Sequence, residues 1–409
     1  MFEAFLKFFS TIFGHHRFKV AMVSYYYPYK QPSSSGVGIH AYNLVTHLAK
    51  AGAEVHVFAS GEKKDSVERI RLGEGLIVIH FLASSSPFEA SDPVVMKRVR
   101  YDIFETKVLR EAVLEHSRRD FDVVHTHGWL TGSAFRLKYF YKLPWVHTVH
   151  SLERNRLNSM TEEEKKLFRI TSWVEDTIVE ADKLIAVSES VAKEVKKAFK
   201  GVGKKVEVIP NGVDLRLFKP ASGKSPRTVL SVTRFSKEKG VEILPEVIKG
   251  ILKRDNLGKF ILVAPRTPLP DLQDVQKELD SIKEEYPKRF IWHDRSMMPT
   301  ELAGIYREAG VYLQPSYYET FGLCVLEGMA SGNAVVATDV GGIPEVVGKA
   351  GILTKPKALN LSRKVLGLFK NPAMRRKYRN LAIKRSKQFD WPIVAEQTFD
   401  LYKKVVEGE

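Results

Sequence analysis

From Phe18 onward, apolar residues fall into two alternating rhythms. Short apolar runs bounded by turn-forming residues predict buried strands, and stretches with apolar positions every three to four residues predict helices between them. In the first half, strands are predicted at 19–25, 54–59, 76–82, 122–127, 145–150, 183–188 and 206–209. A helix at 39–51 places Leu44, Val45, Leu48 and Ala49 on one face. The rhythm lapses into Pro, Gly, Ser and Lys between Pro210 and Pro226, which marks a linker. It resumes with strands at 228–233, 260–264, 290–293, 311–314 and 334–338, and a helix at 239–253 whose buried face carries Val241, Leu244, Val247, Ile248, Ile251 and Leu252. Strands alternating with helices predict an α/β protein with parallel sheets, here in two doubly wound halves of similar size. Ligands of such sheets bind beyond the carboxyl ends of the strands, so two facing halves create a cleft.

Length agrees with this division, since 409 residues at roughly 150 per domain give two or three domains. The balance of 64 Lys and Arg against 48 Asp and Glu leaves +16, which favours an anionic substrate or partner. Residues 361–409 concentrate the excess, with twelve Lys or Arg and five Asp or Glu in what reads as one helical tail. Its plain reading is a solvated helix face. The single cysteine, Cys324, excludes a disulfide framework and a Cys-based zinc cluster and fits a reducing, cytoplasmic setting. Nine Asn and six Gln beside abundant Lys, Arg and Glu point toward a thermophilic source. No apolar run reaches the roughly 18 to 20 residues that a membrane-spanning helix needs. Residues 1–17 nevertheless carry Phe2, Phe5, Leu6, Phe9, Ile12 and Phe13 at helical spacing. They lack the positive leader and small-residue cleavage site of a secretory signal. Two readings stand: an in-plane membrane anchor, or an amphipathic helix packed on the protein itself.

Several motifs carry candidate chemistry. Gly36-x-Gly38-x-x-Ala41 matches the dinucleotide fingerprint in form, but about ten residues separate it from the first strand, and Phe58, Ala59 and Ser60 stand where the fingerprint wants an acid. What remains is a loop whose glycines let N–H groups at a helix N-terminus approach an anion. Neither Gly203-Lys204 nor Gly223-Lys224-Ser225 has the earlier glycine of a P-loop. Asp120-Phe121-Asp122 sits before a strand, the wrong end for a ligand, and reads as surface. His125, His127, His147 and His150 fall at strand ends. His125 and His127 share a strand face, as a zinc pair would, but no Cys or carboxylate adjoins them to complete the shell. His127, last on its strand, is the one best placed to hydrogen-bond a sugar hydroxyl or a reacting oxygen; the others read as core or supporting histidines.

The second half is richer. Arg234 ends a strand and Lys239-Gly240 opens the following helix, so two cations five positions apart can clamp a diphosphate as charge grows on the leaving group. Glu319 and Glu327 lie eight positions apart across a loop and a helix, in Tyr318-Glu319-Thr320-Phe321-Gly322-Leu323 and Glu327-Gly328-Met329-Ala330. Glu327 can accept both hydroxyls of a ribose, and the N–H groups at Phe321, Gly322 and Leu323 suit phosphate oxygens.

With Gly341-Gly342-Ile343-Pro344-Glu345-Val346, Pro210-Asn211-Gly212-Val213-Asp214 and Val187-Ser188, this set resembles the retaining glycosyltransferases of family 4, which have the GT-B fold. The likeness runs from about Phe18 to the terminal Phe389…Trp391…Tyr402 helix. It implies two Rossmann-like domains facing a central cleft: an acceptor-binding domain at 18–212, a nucleotide-sugar-binding domain at 213–388, and a last helix at 389–409 that crosses back. The resemblance makes Arg234 and Lys239 the diphosphate clamp, Glu327 the ribose ligand and Glu319 a positioning or electrostatic group beside the donor sugar. It gives Phe321, Gly322 and Leu323 as backbone donors, places Gly36 and Gly38 against the donor phosphate or acceptor, and puts His127 on the transferred sugar. It implies no cofactor beyond the nucleotide-diphosphate sugar and no metal. The sequence departs from the family at Ala264-Pro265-Arg266-Thr267-Pro268, where Gly-x-Gly-Pro is frequent, so Arg266 adds a cation near the donor.

The expected activity is retaining, metal-independent transfer of a hexose from a nucleotide-diphosphate sugar to a hydroxyl of a lipid-linked or soluble sugar or glucan. Glycogen-synthase-like glucan elongation is one alternative, and a non-catalytic basic module for nucleic acid is another, though no basic stripe with interleaved aromatics accompanies the charge. A phosphorylase or epimerase on the same plan is a further rival. An anionic membrane surface, the inner face of the cell membrane, is a further expected partner.

Overall fold

Eight strands and five helices, with a further helix from the end of the chain, form the first unit in the computed structural model, which describes residues 17–31, 35–61, 64–85, 92–128, 131–160 and 162–408. In chain order the elements are β1 (Lys19–Val23), α1 (Gly36–Lys50), β2 (Glu54–Gly61), β3 (Ser66–Leu72), β4 (Gly75–Ala83), α2 (Pro93–Arg119), β5 (Val123–His127), α3 (Gly132–Tyr141), β6 (Trp145–Val149), α4 (Glu162–Asp176), β7 (Lys183–Ala186), α5 (Glu189–Ala198) and β8 (Val206–Val208). The sheet order is β3-β4-β2-β1-β5-β6-β7-β8. All pairs are parallel except β3 with β4. The chain leaves β1 toward β2 on one side and later returns to β5 on the other, so the β1/β5 boundary is the switch point where a doubly wound sheet opens a crevice. The antiparallel edge strand β3 is absent from the sequence reading because Ser-Val-Glu-Arg-Ile-Arg-Leu has no apolar run and only its alternate residues are partly covered. Residues 1–16, and with them the choice between anchor and packed helix, lie outside the described residues.

The second unit contains β9 (Ser225–Val232), α6 (Leu244–Leu252), β10 (Lys259–Val263), α7 (Gln273–Glu285), β11 (Phe290–His293), α8 (Pro299–Glu308), β12 (Ala309–Gln314), α9 (Leu323–Ala330), β13 (Ala334–Thr338), α10 (Ile343–Val347), β14 (Gly351–Thr354), α11 (Ala358–Lys370) and α12 (Pro372–Ser386). Its six strands are ordered β11-β10-β9-β12-β13-β14, all parallel, with the switch point between β9 and β12. The helix expected at 239–253 is shorter: two single turns at Lys237–Lys239 and Val241–Ile243 precede α6, because Gly240 takes a left-handed φ of 67° between them. Its apolar face packs as expected, with Val241, Leu244, Val247, Ile248, Ile251 and Leu252 all buried in the unit's core.

The units divide at Pro210/Asn211 and at Asp390/Trp391, with Lys30 and Gln31 grouped with the second. The last helix, α13 (Trp391–Glu407), belongs to the first unit. Its Phe399 and Tyr402 rings lie 5.0 and 6.1 Å from Phe18, and its Tyr402 hydroxyl is 2.5 Å from His125 Nδ1. The basic tail is therefore three helices shared between two units, and several of its cations have structural work. Arg375 donates to the Leu368 carbonyl, Arg379 to that of Ala221, and Arg385 to those of Glu345 and Val346. Among the described residues, no helix is long and apolar enough to cross a membrane.

Candidate active site

At the switch point of the second unit, the loop after β9 and the loop after β12 are tied together. The N–H groups of Tyr317 and Tyr318 both donate to the Glu238 carbonyl, at 2.8 and 3.0 Å. Gly240 permits this approach: a Cβ there would lie 2.1 Å from the Pro315 carbonyl oxygen. The result places Lys239 Nζ 3.0 Å from Glu319 Oε2, with both side chains only 14% exposed. Arg234, half exposed, pairs instead with Glu238 at 2.5 Å. Both cations expected to form a clamp thus stand at the switch point, each held by a carboxylate.

A third loop fixes Glu319 from the other side. Gly342 N–H donates to the Glu319 carbonyl at 2.9 Å. A Cβ on Gly341 would lie 1.8 Å from that same oxygen, and one on Gly342 would lie 2.3 Å from the Thr320 oxygen, so side chains cannot occupy these positions. Below the loop, buried Gln314 donates to Ser316 Oγ at 2.8 Å, Ser316 Oγ lies 3.4 Å from Glu319, and Thr338 donates to the Ser316 carbonyl at 2.7 Å. Glu319 is held through its backbone and its side chain alike.

Gly322, with φ of 102°, turns the chain into α9, whose first N–H groups lack intrahelical acceptors. Phe321 is buried and Leu323 is partly exposed. Glu327 lies one turn on, buried, with Oε2 2.9 Å from the Tyr306 hydroxyl. Burial pushes its carboxyl up to about 7, against the pull of the Tyr306 hydrogen bond. Tyr306, on α8, has no sequence spacing that would reveal it. Arg266 does not join the group: it pairs with Asp280 at 2.6 Å and Asp294 at 2.9 Å and lies over the Trp292 ring.

The remaining expected residues belong to the first unit. Ser35 caps α1 by accepting from Gly38 N–H at 3.2 Å, so that donor is already engaged and is not offered to an anion. Gly38 is also packed tightly, since a Cβ would lie 3.0 Å from the Tyr26 oxygen. His127 ends β5 but is buried, with Nδ1 3.2 Å from His150 Nε2 and Nε2 3.0 Å from Met22 Sδ. Burial, then neighbouring imidazoles, holds it well below the usual histidine range. His125 is structural, bound by Tyr402 and by Thr148 Oγ1 at 2.7 Å; His147 meets Thr126 Oγ1 at 2.8 Å. Asp122 accepts from Lys19 N–H at 2.6 Å.

Among the described residues, two groups place metal-ligating atoms within 4.8 Å of one another: His40, His127 and His150, and His56, His80 and Glu115. In the second, Arg119 Nε stands 3.2 Å from the same Glu115 oxygen that approaches His56, and Arg118 takes the other oxygen. An ion-pair network already occupies those carboxylate positions. In the first, His127 joins His40 and His150, while His125, its ring centroid 4.4 Å from that of His127, gives its nitrogens to Tyr402 and Thr148.

Residues 34–217 match the family described as Glycosyltransferase Family 4, and residues 214–385 match Glycosyl transferases group 1. The chain is 30% identical to the alpha-maltose-1-phosphate synthase of Mycolicibacterium smegmatis over 95% of its length and 99% of the relative's. The chain belongs to the family 4 glycosyltransferases. It is 29% identical to a glycogen synthase of Mycobacterium tuberculosis, covering 96% of each chain. The solved sucrose-phosphate synthase from Thermosynechococcus elongatus superposes with a TM-score of 0.79 at 24% identity, covering 96% of this chain and 100% of the other. The fold is that of the GT-B glycosyltransferases. This family 4 member is an enzyme, a hexosyltransferase that draws on a nucleotide-sugar donor, which displaces the non-catalytic nucleic-acid module as a reading.

Proposed function

We propose that the enzyme transfers a hexose with retention of anomeric configuration and without a metal, from a nucleotide-diphosphate sugar to an acceptor hydroxyl. The supporting observation is the Lys239–Glu319 pair at the β9/β12 switch point, 3.0 Å apart, beside Arg234 and the opening of α9. In this reading, an arriving diphosphate exchanges carboxylate partners for its own oxygens on Lys239 and Arg234, and the N–H groups at Phe321, Gly322 and Leu323 complete its shell. Glu319, freed from Lys239 but still held by Gly342, faces the donor sugar as an electrostatic group. Glu327 accepts the ribose hydroxyls once ionised. The donor domain is 213–388 and the acceptor domain is 18–212; Gly38, capped by Ser35, and His127, with both ring nitrogens engaged, shape the first unit rather than touch substrate. As the bond to the leaving phosphate breaks, Lys239 and Arg234 neutralise its growing charge.

A thermal-shift panel of nucleoside diphosphates identifies the base, and proton NMR of the product reads its anomeric configuration. An inverted product ends the retaining reading. A loss of turnover in EDTA that added divalent ions restore ends the metal-independent one.

Glucan elongation is a second reading, favoured by the likeness to glycogen synthase. Transfer to a glucan primer at a kcat/KM above that for small sugars would establish it. For an anionic membrane surface on the cytoplasmic side, the support is the exposed remainder of the tail charge, including Lys364, Lys370, Arg376, Lys377 and Lys384. Failure of the full chain to co-sediment with anionic vesicles ends that reading. A thermophilic source predicts a melting temperature above the 45 to 65 °C range typical of mesophile domains.

A further inference from the structure

The carboxyl ends of β5 and β6 hold a group of side chains that the transfer reading leaves unused. His127 closes β5, His150 follows the last residue of β6, and His40 reaches the pair from α1, the helix that follows β1. Each offers one ring nitrogen within 4.8 Å of the others. His40 and His127 are only 2% and 1% exposed. The His40 ring centroid lies 5.3 Å from that of His127 and 4.8 Å from that of His150, with the planes 58° and 78° apart, so these rings meet at an angle and do not stack.

The neighbour of His127 fixes where its lone pair points. Its Nε2 stands 3.0 Å from Met22 Sδ, and a thioether sulfur can only accept, so Nε2 carries the proton and the lone pair lies on Nδ1. That is the nitrogen 3.2 Å from His150 Nε2. Two imidazole nitrogens on one tetrahedral zinc ion, each bound at about 2.0 to 2.1 Å, stand about 3.3 to 3.4 Å apart. The His127–His150 separation already matches one edge of such a shell. A ligating histidine ordinarily gives its second ring N–H to an acceptor that holds its orientation, and Met22 supplies that acceptor to His127. Trp391, edge-on to His40 at 5.4 Å, braces the ring that comes from α1.

Electrostatics favour a metal here over a proton. Burial, then the neighbouring imidazoles, holds His127 and His150 well below the usual histidine range, so both are neutral at pH 7 and keep a lone pair to give. Nitrogen sets of this kind suit zinc and its transition-metal neighbours, whereas magnesium and calcium want oxygen. Three imidazoles also leave the fourth tetrahedral position to water. Strand spacing alone offered His125 as the partner of His127; the structure supplies His40 and His150 instead, from two other elements.

We infer that His40, His127 and His150 form a zinc site, with His127 Nδ1 and His150 Nε2 as two of its ligand atoms. The ion clamps α1 to the ends of β5 and β6 and takes no part in sugar transfer, so the site stands or falls apart from the transferase reading. In the free protein His150 Nε2–H donates to His127 Nδ1. Binding moves that proton to the other ring nitrogen of His150, which leaves the imidazole neutral and releases no proton.

The test is calorimetric titration of the full chain with zinc chloride at neutral pH, after a chelator has stripped it of metal and been removed. One ion per chain should bind, with a Kd of about 1 µM or below, and His40→Ala or His150→Ala should each weaken it about 100-fold or more. His80→Asn, in the other histidine group, and His15→Ala/His16→Ala, near the start of the chain, should leave the affinity unchanged. Cobalt(II) in place of zinc should give the intense visible absorption of a four-coordinate site in the wild type and lose it in both alanine variants. Hydrogen exchange should slow with zinc in α1, β5 and β6 and stay as it was in the second unit. Should an alanine variant fail to fold, the wild-type stoichiometry, the cobalt spectrum and the exchange pattern still decide. Absence of saturable zinc binding, a six-coordinate cobalt spectrum, affinity that survives in His40→Ala and His150→Ala, or affinity that vanishes with His80→Asn or His15→Ala/His16→Ala each overturns the site. None of these readouts uses turnover, so a failed transferase reading leaves them untouched.

Discussion

The two units bury polarity at the carboxyl ends of their sheets in opposite ways. In the first, neutral imidazoles gather: His125, His127 and His150 are each held well below the usual range by burial, and His147 is pushed down to about 3. In the second, charges gather in pairs, Lys239 with Glu319 and Arg234 with Glu238, and buried Glu327 is pushed up to about 7. Burying an imidazole whose nitrogens have partners costs little, whereas burying a charge demands a counter-charge within reach. The difference teaches where each unit tolerates work. The charged end offers ion pairs whose cations an anion could take over, whereas the neutral end offers uncharged imidazoles.

It also gives the units opposite responses to acid. A histidine with a depressed folded pKa contributes stability above pH 6.5 and loses it as pH falls toward the folded value. Glu327 has the reverse sign, its contribution being complete below pH 4.5 and lost as pH rises through about 7.

Removing the charge that the second unit depends on should have the largest effect. Lys239→Ala should lower kcat by 10²- to 10³-fold, about 2.7 to 4 kcal/mol, as loss of one strong transition-state donor does; rates within threefold of wild type would sink the clamp. Glu327→Gln should separate stability from function. At pH 8 it should stabilise the ligand-free protein by roughly 3 kcal/mol, the cost of ionising a buried carboxyl whose pKa is raised by that much. It should also weaken donor binding tenfold or more and abolish the gain in donor affinity between pH 6 and 8. Calorimetry reads both, and a variant with unaltered donor affinity removes Glu327 from the ribose. Acid should act on the first unit: between pH 6.5 and 5 the amides of β5 and β6 should lose protection by about 1 kcal/mol per pH unit for each buried imidazole. Hydrogen exchange that weakens equally in both units would erase the contrast. Smallest, Tyr402→Phe should cost about 1 kcal/mol of stability through its lost bond to His125, with transfer rates unchanged.

How much of this was legible follows the same contrast. Arg234, Lys239, Glu319 and Glu327 stand out in the sequence because they are charged residues just after strand ends that the apolar runs mark, and the structure gathers them in one unit. The support was hidden. Tyr306 reaches Glu327 from another helix, and Gly240 matters through a carbonyl 75 positions later, at Pro315. In the first unit the glycine loop was visible, but Ser35 closing on Gly38 was not, since a cap depends on backbone geometry. Strands β3 and β14 were missed for lack of apolar length, both lying at sheet edges.

The position of α13 has a consequence for synthesis. Tyr402 completes the bonding of His125, and Trp391 packs 5.4 Å from His40, yet both are translated only after the whole second unit. The N-terminal unit must wait, unfinished, until the whole C-terminal unit has been translated and Asp390 has emerged. The unit made second can therefore fold first. A nonsense change after Asp390 would spare the unit with the charge pairs and leave the imidazole-lined one without its closing helix.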